Sequence, residues 1–256
     1  ASIKNLKNVH FMGGETLITR RFEEFVDYML SQGRLDLCFS FVTNGTTFNQ
    51  SLLDKLQRFQ RVGVEVSCET LDQRNSYQRQ GTDQQTVQEN IQRYMAYCNG
   101  TDRTLTIRPA ISALTIGSYH GLLEFCFRNK ILIKSLIVTR PHYLDVRILP
   151  RTIRDDYLRL FQDLTQSLGL GEIDTHQDYN ESDPNQNAAV IKNQIDLCES
   201  LLTATSPDHS EKLLEEMREH DDEGKEQEGA EGAEGQGGKD SEPKSGEKSG
   251  EKSGEK

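Results

Sequence analysis

The chain has 256 residues and a formal net charge of −11, with 34% hydrophobic and 28% charged side chains. Residues 206–256 contain 17 acidic and 8 basic side chains, so they account for −9 of this charge and leave −2 for residues 1–205. A nearly neutral body lacks the clustered Lys and Arg that nucleic-acid binding requires, so we expect no nucleic-acid partner. No stretch reaches the roughly 18 apolar residues of a membrane helix and no secretory signal is present, so we expect a soluble, cytoplasmic protein with no membrane partner.

The cysteines predict no metal site in this sequence. They lie far apart and form no C-x-x-C pair, which argues against a zinc site or a local redox motif. Most of them fall in apolar runs, where reduced, buried thiols are expected, as in a cytoplasmic protein. The five are Cys38, Cys68, Cys98, Cys126 and Cys198.

The first 141 residues alternate short apolar, β-branched runs with segments of helical period. This pattern is typical of βα units and predicts a parallel sheet. In chain order it predicts a strand at 8–12, a helix at 20–31, a strand at 37–42, a helix at 51–59, a strand at 63–67, a helix at 83–97, a strand at 105–114, a helix through Leu122 and Cys126, and a strand at 131–138. Five consecutive βα units fit an open doubly wound sheet or part of a barrel equally well.

The pattern changes after Pro141, and the predicted domains follow this change. The sequence predicts a strand at 143–149, a helix at 151–168, a polar loop at 171–187 and a helix at 188–202. We therefore expect a sheet domain at 1–141 and a mostly helical extension at 142–205. Residues 206–256 form an acidic, low-complexity tail with Gly-Ala-Glu and Ser-Gly-Glu-Lys repeats, and this composition predicts disorder.

Polar or glycine-rich segments follow the first three predicted strands. In parallel α/β proteins ligands bind at the carboxyl ends of the strands, so these segments are candidate binding residues. Two glycines leave the backbone free to approach a ligand, a glutamate accepts from an ammonium group, and a serine with a glutamate suits the hydroxyls of a ribose. Each segment also fits an ordinary turn. The three are Gly13-Gly14-Glu15, Thr43-Asn44-Gly45 and Ser67-Cys68-Glu69.

Arginines provide the candidate anion-binding groups. Arg79 lies in the polar loop after the third strand, and its guanidinium fork suits a carboxylate or phosphate. The alternative is a solvated loop in which Thr82 or Asp83 caps the next helix and Arg79 pairs locally. Three further arginines fall on predicted strands and fit either an anionic or peptide carboxylate substrate or internal salt bridges. They are Arg108, Arg140 and Arg147.

The order of these motifs resembles the radical S-adenosylmethionine (radical SAM) enzyme family, over about residues 7–150. Gly13-Gly14-Glu15 is similar to the Gly-Gly-Glu-Pro element of that family, with Thr16 in place of the usual Pro. The other similar elements are Thr43-Asn44-Gly45, Val66-Ser67-Cys68-Glu69, and the loop Arg79-Gln80-Gly81-Thr82-Asp83. Tyr143-Leu144 together with Ile148-Leu149-Pro150 resembles the twitch-type members of the family.

The resemblance implies a partial (β/α) barrel of the radical SAM type, with its first βα unit missing and with C-terminal helices and a disordered tail after it. Gly13, Gly14 and Glu15 would hold the methionyl amine of S-adenosylmethionine, and Asn44 would lie at the same rim. Ser67 and Glu69 would face the ribose and Arg79 the methionyl carboxylate. In the family a [4Fe-4S] cluster, supplied with an electron by a donor, cleaves the cofactor to a 5′-deoxyadenosyl radical that attacks a substrate. The substrate, a peptide or a small molecule, and the catalytic residues are not assigned by this sequence.

The chain departs from the family pattern in its cysteines. The family's C-x-x-x-C-x-x-C cluster motif does not occur, and widely spaced cysteines do not replace it. We therefore expect an N-terminally truncated chain that is inactive alone, with an enzyme as its full-length parent. The alternative is a non-catalytic barrel scaffold derived from the family. A phosphate-binding barrel enzyme is a third reading, but its Gly-rich loop is not found.

Overall fold

The computed structural model of the protein describes residues 5–173 and 186–204. All of them belong to the first of two units into which the chain divides, Ala1–His209. The predicted acidic tail and most of the predicted loop at 171–187 lie outside the described residues. Among the described helices, none has the length and hydropathy needed to cross a membrane.

Short strands alternate with helices along the described chain, as the sequence predicts. The strands are β1 (Asn8–Phe11), β2 (Cys38–Thr43), β3 (Arg61–Val66), β4 (Thr104–Ile107), β5 (Ala110–Ile111), β6 (Leu132–Ile133) and β7 (Leu136–Ile137). The helices are α1 (Arg20–Ser31), α2 (Gln50–Leu56), α3 (Arg74–Gln78), α4 (Gln84–Cys98), α5 (Ile116–Arg128), α6 (Arg151–Ser167) and α7 (Gln186–Thr203). The predicted α/β class with a parallel sheet is confirmed.

The main sheet has five strands in the order β1-β2-β3-β4-β6, and every pair in it is parallel. Each new strand adds on the same side of the preceding one, so the order shows no reversal. A second sheet contains the parallel pair β5 and β7. Because the strands of the main sheet are parallel, their carboxyl ends all lie at one edge, where ligands of such sheets bind.

The two faces of the main sheet differ in chemistry. One face is apolar and packs on the helices: the ring of Phe11 lies 4.6 Å from that of Phe22 in α1, and the ring of Phe39 lies 4.3 Å from that of Phe59. Burying a fully enclosed ring such as that of Phe22 or Phe39 stabilises the fold by roughly 1.5–3 kcal/mol. The residues that alternate with these carry polar groups on the second face, among them His10, Ser40 and Glu65.

Three predicted strands differ from the structure. The strand predicted at 105–114 is broken at Arg108-Pro109, because proline has no N–H for the ladder. The strand predicted at 131–138 is divided in the same way, since β6 pairs with β4 and β7 pairs with β5. The strand predicted at 143–149 is wrong: this segment forms two 3-10 turns, His142–Leu144 and Val146–Ile148.

Candidate functional site

The three motif segments leave the sheet at the same edge. Gly13 follows β1, Asn44 follows β2 and Ser67 follows β3, and these strands run parallel in register. The backbone N–H of Ser67 donates to the carbonyl of Thr43 at 2.9 Å, so the ladder continues to the rim. The rim of β1 to β3 is therefore one continuous surface built from these segments.

Glu15 joins the first two segments of the rim. Its carboxylate accepts from the Thr43 hydroxyl at 2.8 Å, from the backbone N–H of Asn44 at 2.8 Å and from that of Leu17 at 3.2 Å. The last bond makes Glu15 the N-cap of a 3-10 turn at Thr16–Ile18. The hydroxyl of Thr16 donates to the carbonyl of Val42 at 2.7 Å, so this residue, found where the family has Pro, also ties the turn to β2.

Gly13 and Gly14 present open backbone at the rim. Their φ angles are +103° and +52°, and a Cβ at either position would meet no atom within 4 Å. Any L residue is strained in this conformation, whereas glycine adopts it freely. The exposed peptide groups at this turn are therefore accessible to a ligand.

The segment after β2 is held by its own side chains. The Asn44 Oδ1 atom accepts from the backbone N–H of Thr46 at 2.9 Å and from its hydroxyl at 2.6 Å. Gly45 has a φ of +79°, and a Cβ there would lie 3.1 Å from Val87 and 3.2 Å from Val66. Close packing against α4 and β3 thus requires glycine beside Asn44.

Arg79 pairs with Glu69 behind the rim. The Arg79 Nε and Nη2 atoms donate to the two Glu69 oxygens at 2.5 and 2.7 Å, which is a bidentate geometry. Glu69 is only 3% exposed, while 28% of the Arg79 side chain is exposed. Arg79 therefore pairs locally, as one of the two interpretations of the sequence predicts. Asp83 also caps α4, because its carboxylate accepts from the backbone N–H of Thr86 at 2.8 Å. The Nη1 atom of Arg79 takes no part in the pair.

A buried amide pair fixes the backbone beside this ion pair, and sequence reasoning did not find it. Asn75 is 0% exposed, accepts from the backbone N–H of Glu69 at 2.9 Å and donates to the side chain of Gln84 at 2.7 Å. Gln84 in turn donates to the carbonyl of Thr70 at 3.1 Å. No periodicity marks Asn75 in the sequence, because the five-residue helix α3 lies in a polar segment, and Gln84 is a polar residue at the first position of α4.

The same loop is attached to the first turn of α5 and to the segment before it. Asp72 accepts from the Ser118 hydroxyl at 2.7 Å, and Gln78 donates to the Ser112 hydroxyl at 2.9 Å. Burial raises the pKa of Asp72, but its hydrogen bonds, that from Ser118 first, outweigh this and leave the pKa below the ordinary aspartate value. The loop that carries Arg79 is thus fixed at both ends.

The cysteines do not provide ligands for an iron–sulfur cluster. Burial raises the pKa of Cys68 to about 12 and that of Cys98 to about 11, and it raises those of Cys126 and Cys198 strongly. A cluster needs closely spaced thiolates. Within residues 5–173 and 186–204, no group of three or more His, Cys, Asp or Glu side chains is placed to hold a metal ion.

All seven sequence-derived candidate residues lie at the carboxyl edge or in the loop directly behind it, and two pairs of them are in contact: Glu15 with Asn44, and Glu69 with Arg79. The seven are Gly13, Gly14, Glu15, Asn44, Ser67, Glu69 and Arg79.

Two of the three other candidate arginines form salt bridges. Arg108 pairs with Glu65 at 2.7 Å and Arg147 pairs with Asp145 at 2.6 Å.

Neither a protein-family model nor a curated protein matches the chain. Similar solved structures include Streptococcus suis SuiB bound to S-adenosylmethionine, with 16% identity, coverage of 64% of this chain and 37% of that one, and a TM-score of 0.45. Native anSMEcpe with bound AdoMet and a Cp18Cys peptide has 16% identity, coverage of 64% and 48%, and a TM-score of 0.45. A domain of pyruvate-formate lyase-activating enzyme from Bacteroides vulgatus has 13% identity, coverage of 62% and 94%, and a TM-score of 0.42. The chain spans less than half the length of the first two proteins.

Proposed function

We propose that the carboxyl edge of β1 to β3 binds S-adenosylmethionine and that the chain is a portion of a radical SAM enzyme. The observation that carries this proposal is the linked rim: motifs that occur in the family's order lie on one edge, where Glu15 bonds to the segment after β2. These bonds hold the turns after β1 and β2 together as one surface at that edge.

The sheet supports a partial (β/α) barrel in preference to a doubly wound sheet. A doubly wound sheet reverses its strand order at a switch point, whereas the five described strands of the main sheet follow one another without reversal. A doubly wound sheet also needs two apolar faces, and here one face is polar. We propose the sheet domain at 1–141 and a twitch-like helical extension at 142–205.

The roles proposed for the rim residues follow from their exposure. The open backbone of Gly13 and Gly14, held by Glu15, receives the methionyl amine. Arg79 receives the carboxylate through the guanidinium N–H groups that Glu69 leaves available. Ser67 is half-buried at the rim and contacts the ribose. Glu69 is nearly buried, so it reaches the ribose only through the carboxylate lone pairs that its ion pair with Arg79 does not use.

Cluster chemistry is not assigned to the residues described here, because their thiols do not fit a [4Fe-4S] cluster. In the proposal, radical formation, the electron donor, the cytoplasmic location and the peptide or small-molecule substrate belong to the full-length parent. The same misfit of the thiols favours the second candidate, a non-catalytic scaffold of the same family that binds S-adenosylmethionine without cleaving it. The two candidates share the binding site and differ in whether the parent releases 5′-deoxyadenosine.

The test is calorimetric titration of the full chain with S-adenosylmethionine and with 5′-methylthioadenosine, which lacks the methionyl amine and carboxylate. Arg79→Ala is compared with Arg74→Ala, a matched variant of an exposed arginine on α3 that pairs with Asp72. Arg79→Ala should weaken binding of S-adenosylmethionine about tenfold or more, the loss expected for a hydrogen bond to a charged group, and leave 5′-methylthioadenosine binding unchanged.

Three results would count against the proposal. Absence of binding of S-adenosylmethionine to the folded chain would reject the site. An equal loss for both ligands in Arg79→Ala would mean that Arg79 acts only on the loop structure. An equal loss in Arg74→Ala would reject specific recognition of the carboxylate.

A further inference from the structure

The main sheet ends in a row of four polar residues that extends the rim from β2 to β6. These residues, which we call the end row, directly follow the last registered pairs and are Asn44, Ser67, Arg108 and Lys134. The ladder continues through them, because the N–H groups of Ser67, Arg108 and Lys134 donate to the neighbouring strand at 2.9, 2.8 and 2.9 Å. Asn44 and Ser67 belong to the proposed cofactor site, whereas Arg108 and Lys134 have no role in it.

Arg108 and Lys134 lie next to each other on the second face of the sheet. The registered pair Thr106 and Leu132 comes two positions before them on β4 and β6. Because side chains alternate along a strand, Arg108 and Lys134 face the same side. This side is the second face, since Arg108 bonds there to Glu65. Sequence reasoning singled out Arg108 but not its neighbour Lys134.

Arg108 uses only part of its hydrogen-bonding capacity. Its side chain is 19% exposed, and its Nη1 atom donates to the Glu65 carboxylate at 2.7 Å. Among the residues that the structure describes, the Nε and Nη2 atoms of Arg108 have no acceptor, and the ammonium group of Lys134 has none. Nε and Nη2 form the guanidinium edge with which Arg79 holds both oxygens of Glu69. The same edge of Arg108 is therefore available for a carboxylate.

The charges of this part of the end row favour an anion with a single charge. Arg108 and Lys134 carry two positive charges, and Glu65 offsets one of them. Like charges directly opposite each other on neighbouring strands destabilise a sheet, and a bound anion would remove this cost. A carboxylate matches the remaining single charge, whereas a phosphate group carries about −1.5 to −2 at pH 7 and would exceed it.

We propose that Arg108 and Lys134 bind a carboxylate of the substrate, an inference that rests on the proposed function and names the class of substrate. Neighbouring strands lie about 4.8 Å apart, so Arg108 is one strand and Lys134 two strands from Ser67, the proposed ribose contact. A substrate held by its carboxylate at these two residues lies beside the ribose. Leu136, which is 63% exposed and follows Lys134 by two positions on the same face, offers an apolar contact to the rest of the substrate.

Three six-carbon probes test the selection of a carboxylate: hexanoate, hexanamide, which is neutral and has the same shape, and hexyl phosphate, which carries more negative charge. Each is titrated into the full chain with isotope-labelled lysine, and binding is followed by the side-chain signal of Lys134, assigned with Lys134→Met. Hexanoate should shift this signal. Hexanamide should bind at least about tenfold more weakly, the loss expected for hydrogen bonds between charged groups, and hexyl phosphate should also bind more weakly than hexanoate.

Variants are compared by calorimetry with hexanoate. Lys134→Met keeps the length of the side chain and should weaken binding about fivefold, the effect of one partly exposed ion pair. Lys130→Met is the matched control, because Lys130 is also exposed but precedes β6 at its opposite end, and it should change nothing. Glu65→Gln should strengthen binding about threefold, because the carboxylate that competes for Arg108 loses its charge.

A titration of hexanoate in the presence of S-adenosylmethionine separates this inference from the proposed function. The two ligands should bind together, because Arg108 and Lys134 lie outside the proposed cofactor contacts. Competition between them would mean that these residues hold the cofactor's own carboxylate, which would overturn the inference. If S-adenosylmethionine does not bind but hexanoate still shifts the Lys134 signal, the proposed function fails and the carboxylate site is supported.

Other results would also overturn the inference. They are no shift of the Lys134 signal up to the solubility limit of hexanoate, equal binding of hexanamide, tighter binding of hexyl phosphate, equal effects of Lys134→Met and Lys130→Met, or weaker binding to Glu65→Gln. Thermal unfolding of each variant shows that the fold is kept.

Discussion

Replacing Asn75 with alanine tests how the loop behind the rim is held. The substitution removes the acceptor of the Glu69 N–H and the donor to Gln84, and both partners are buried. Each buried group left without a partner costs about 1–3 kcal/mol, so the expected loss of unfolding free energy is about 2–5 kcal/mol. The Arg79 N–H, which donates to the Asn75 carbonyl, keeps its bond because that acceptor is in the backbone.

The assay is urea unfolding followed by far-UV circular dichroism, with Asn90→Ala as the matched control. Asn90 is also buried in an α/β contact, where it donates to the carbonyl of Gly45 at 2.8 Å. Its other side-chain bond, accepted from Arg93 at 3.2 Å, comes from an exposed arginine that water can satisfy instead. The loss in Asn90→Ala should therefore be smaller, about 1–3 kcal/mol. If Asn75→Ala cost less than about 1 kcal/mol, or no more than Asn90→Ala, the amide pair would not be what fixes this loop.

Three further predictions concern packing, pH and thiols. Gly45→Ala should cost about 1–3 kcal/mol more in urea unfolding than Gly100→Ala, because both glycines have positive φ but only Gly45 is crowded. The pKa of Asp72 is lowered in the folded state. The stability that Asp72 contributes is therefore present above its unfolded pKa of about 3.9 and is lost as the pH falls through the folded pKa. The difference in unfolding free energy between the unaltered chain and Ser118→Ala should accordingly shrink below about pH 4. Buried Cys68, Cys126 and Cys198 should react with a disulfide reagent at pH 8 only after unfolding in urea, and fast labelling of any of them in the folded chain would contradict the structure.

The strongly periodic elements could be predicted from the sequence, and the elements with mixed signals could not. Helices α1 and α6 have apolar residues at helical spacing, and the structure confirms both. The run through Pro109 is apolar enough for one strand, but the ladder breaks there because proline has no N–H. The segment 143–149 is apolar enough for a strand, but the Asp145 side chain accepts from the Arg147 N–H and caps a turn instead.

The candidate site was predictable in its location more than in its contacts. Strand-end positions placed Glu15, Asn44 and Ser67 at one edge, because parallel strands end together, and they placed Arg79 in the loop behind that edge. The sequence predicted the pairing of Arg79 with a neighbour only as one of two alternatives. The spacing of residues in a loop does not determine whether a side chain points to a neighbouring residue or to a ligand. The polar face around Glu65 was missed because alternation marks which residues face away from the helices but does not show what they contact.

The most direct measurement of the central claim is a crystal structure of the chain grown with S-adenosylmethionine. The account predicts electron density for the cofactor at the carboxyl edge, with its methionyl amine against Gly13 and Gly14, its carboxylate against Arg79 and its ribose against Ser67. Density for the cofactor at the opposite edge of the sheet, or on the outer helices, would contradict it.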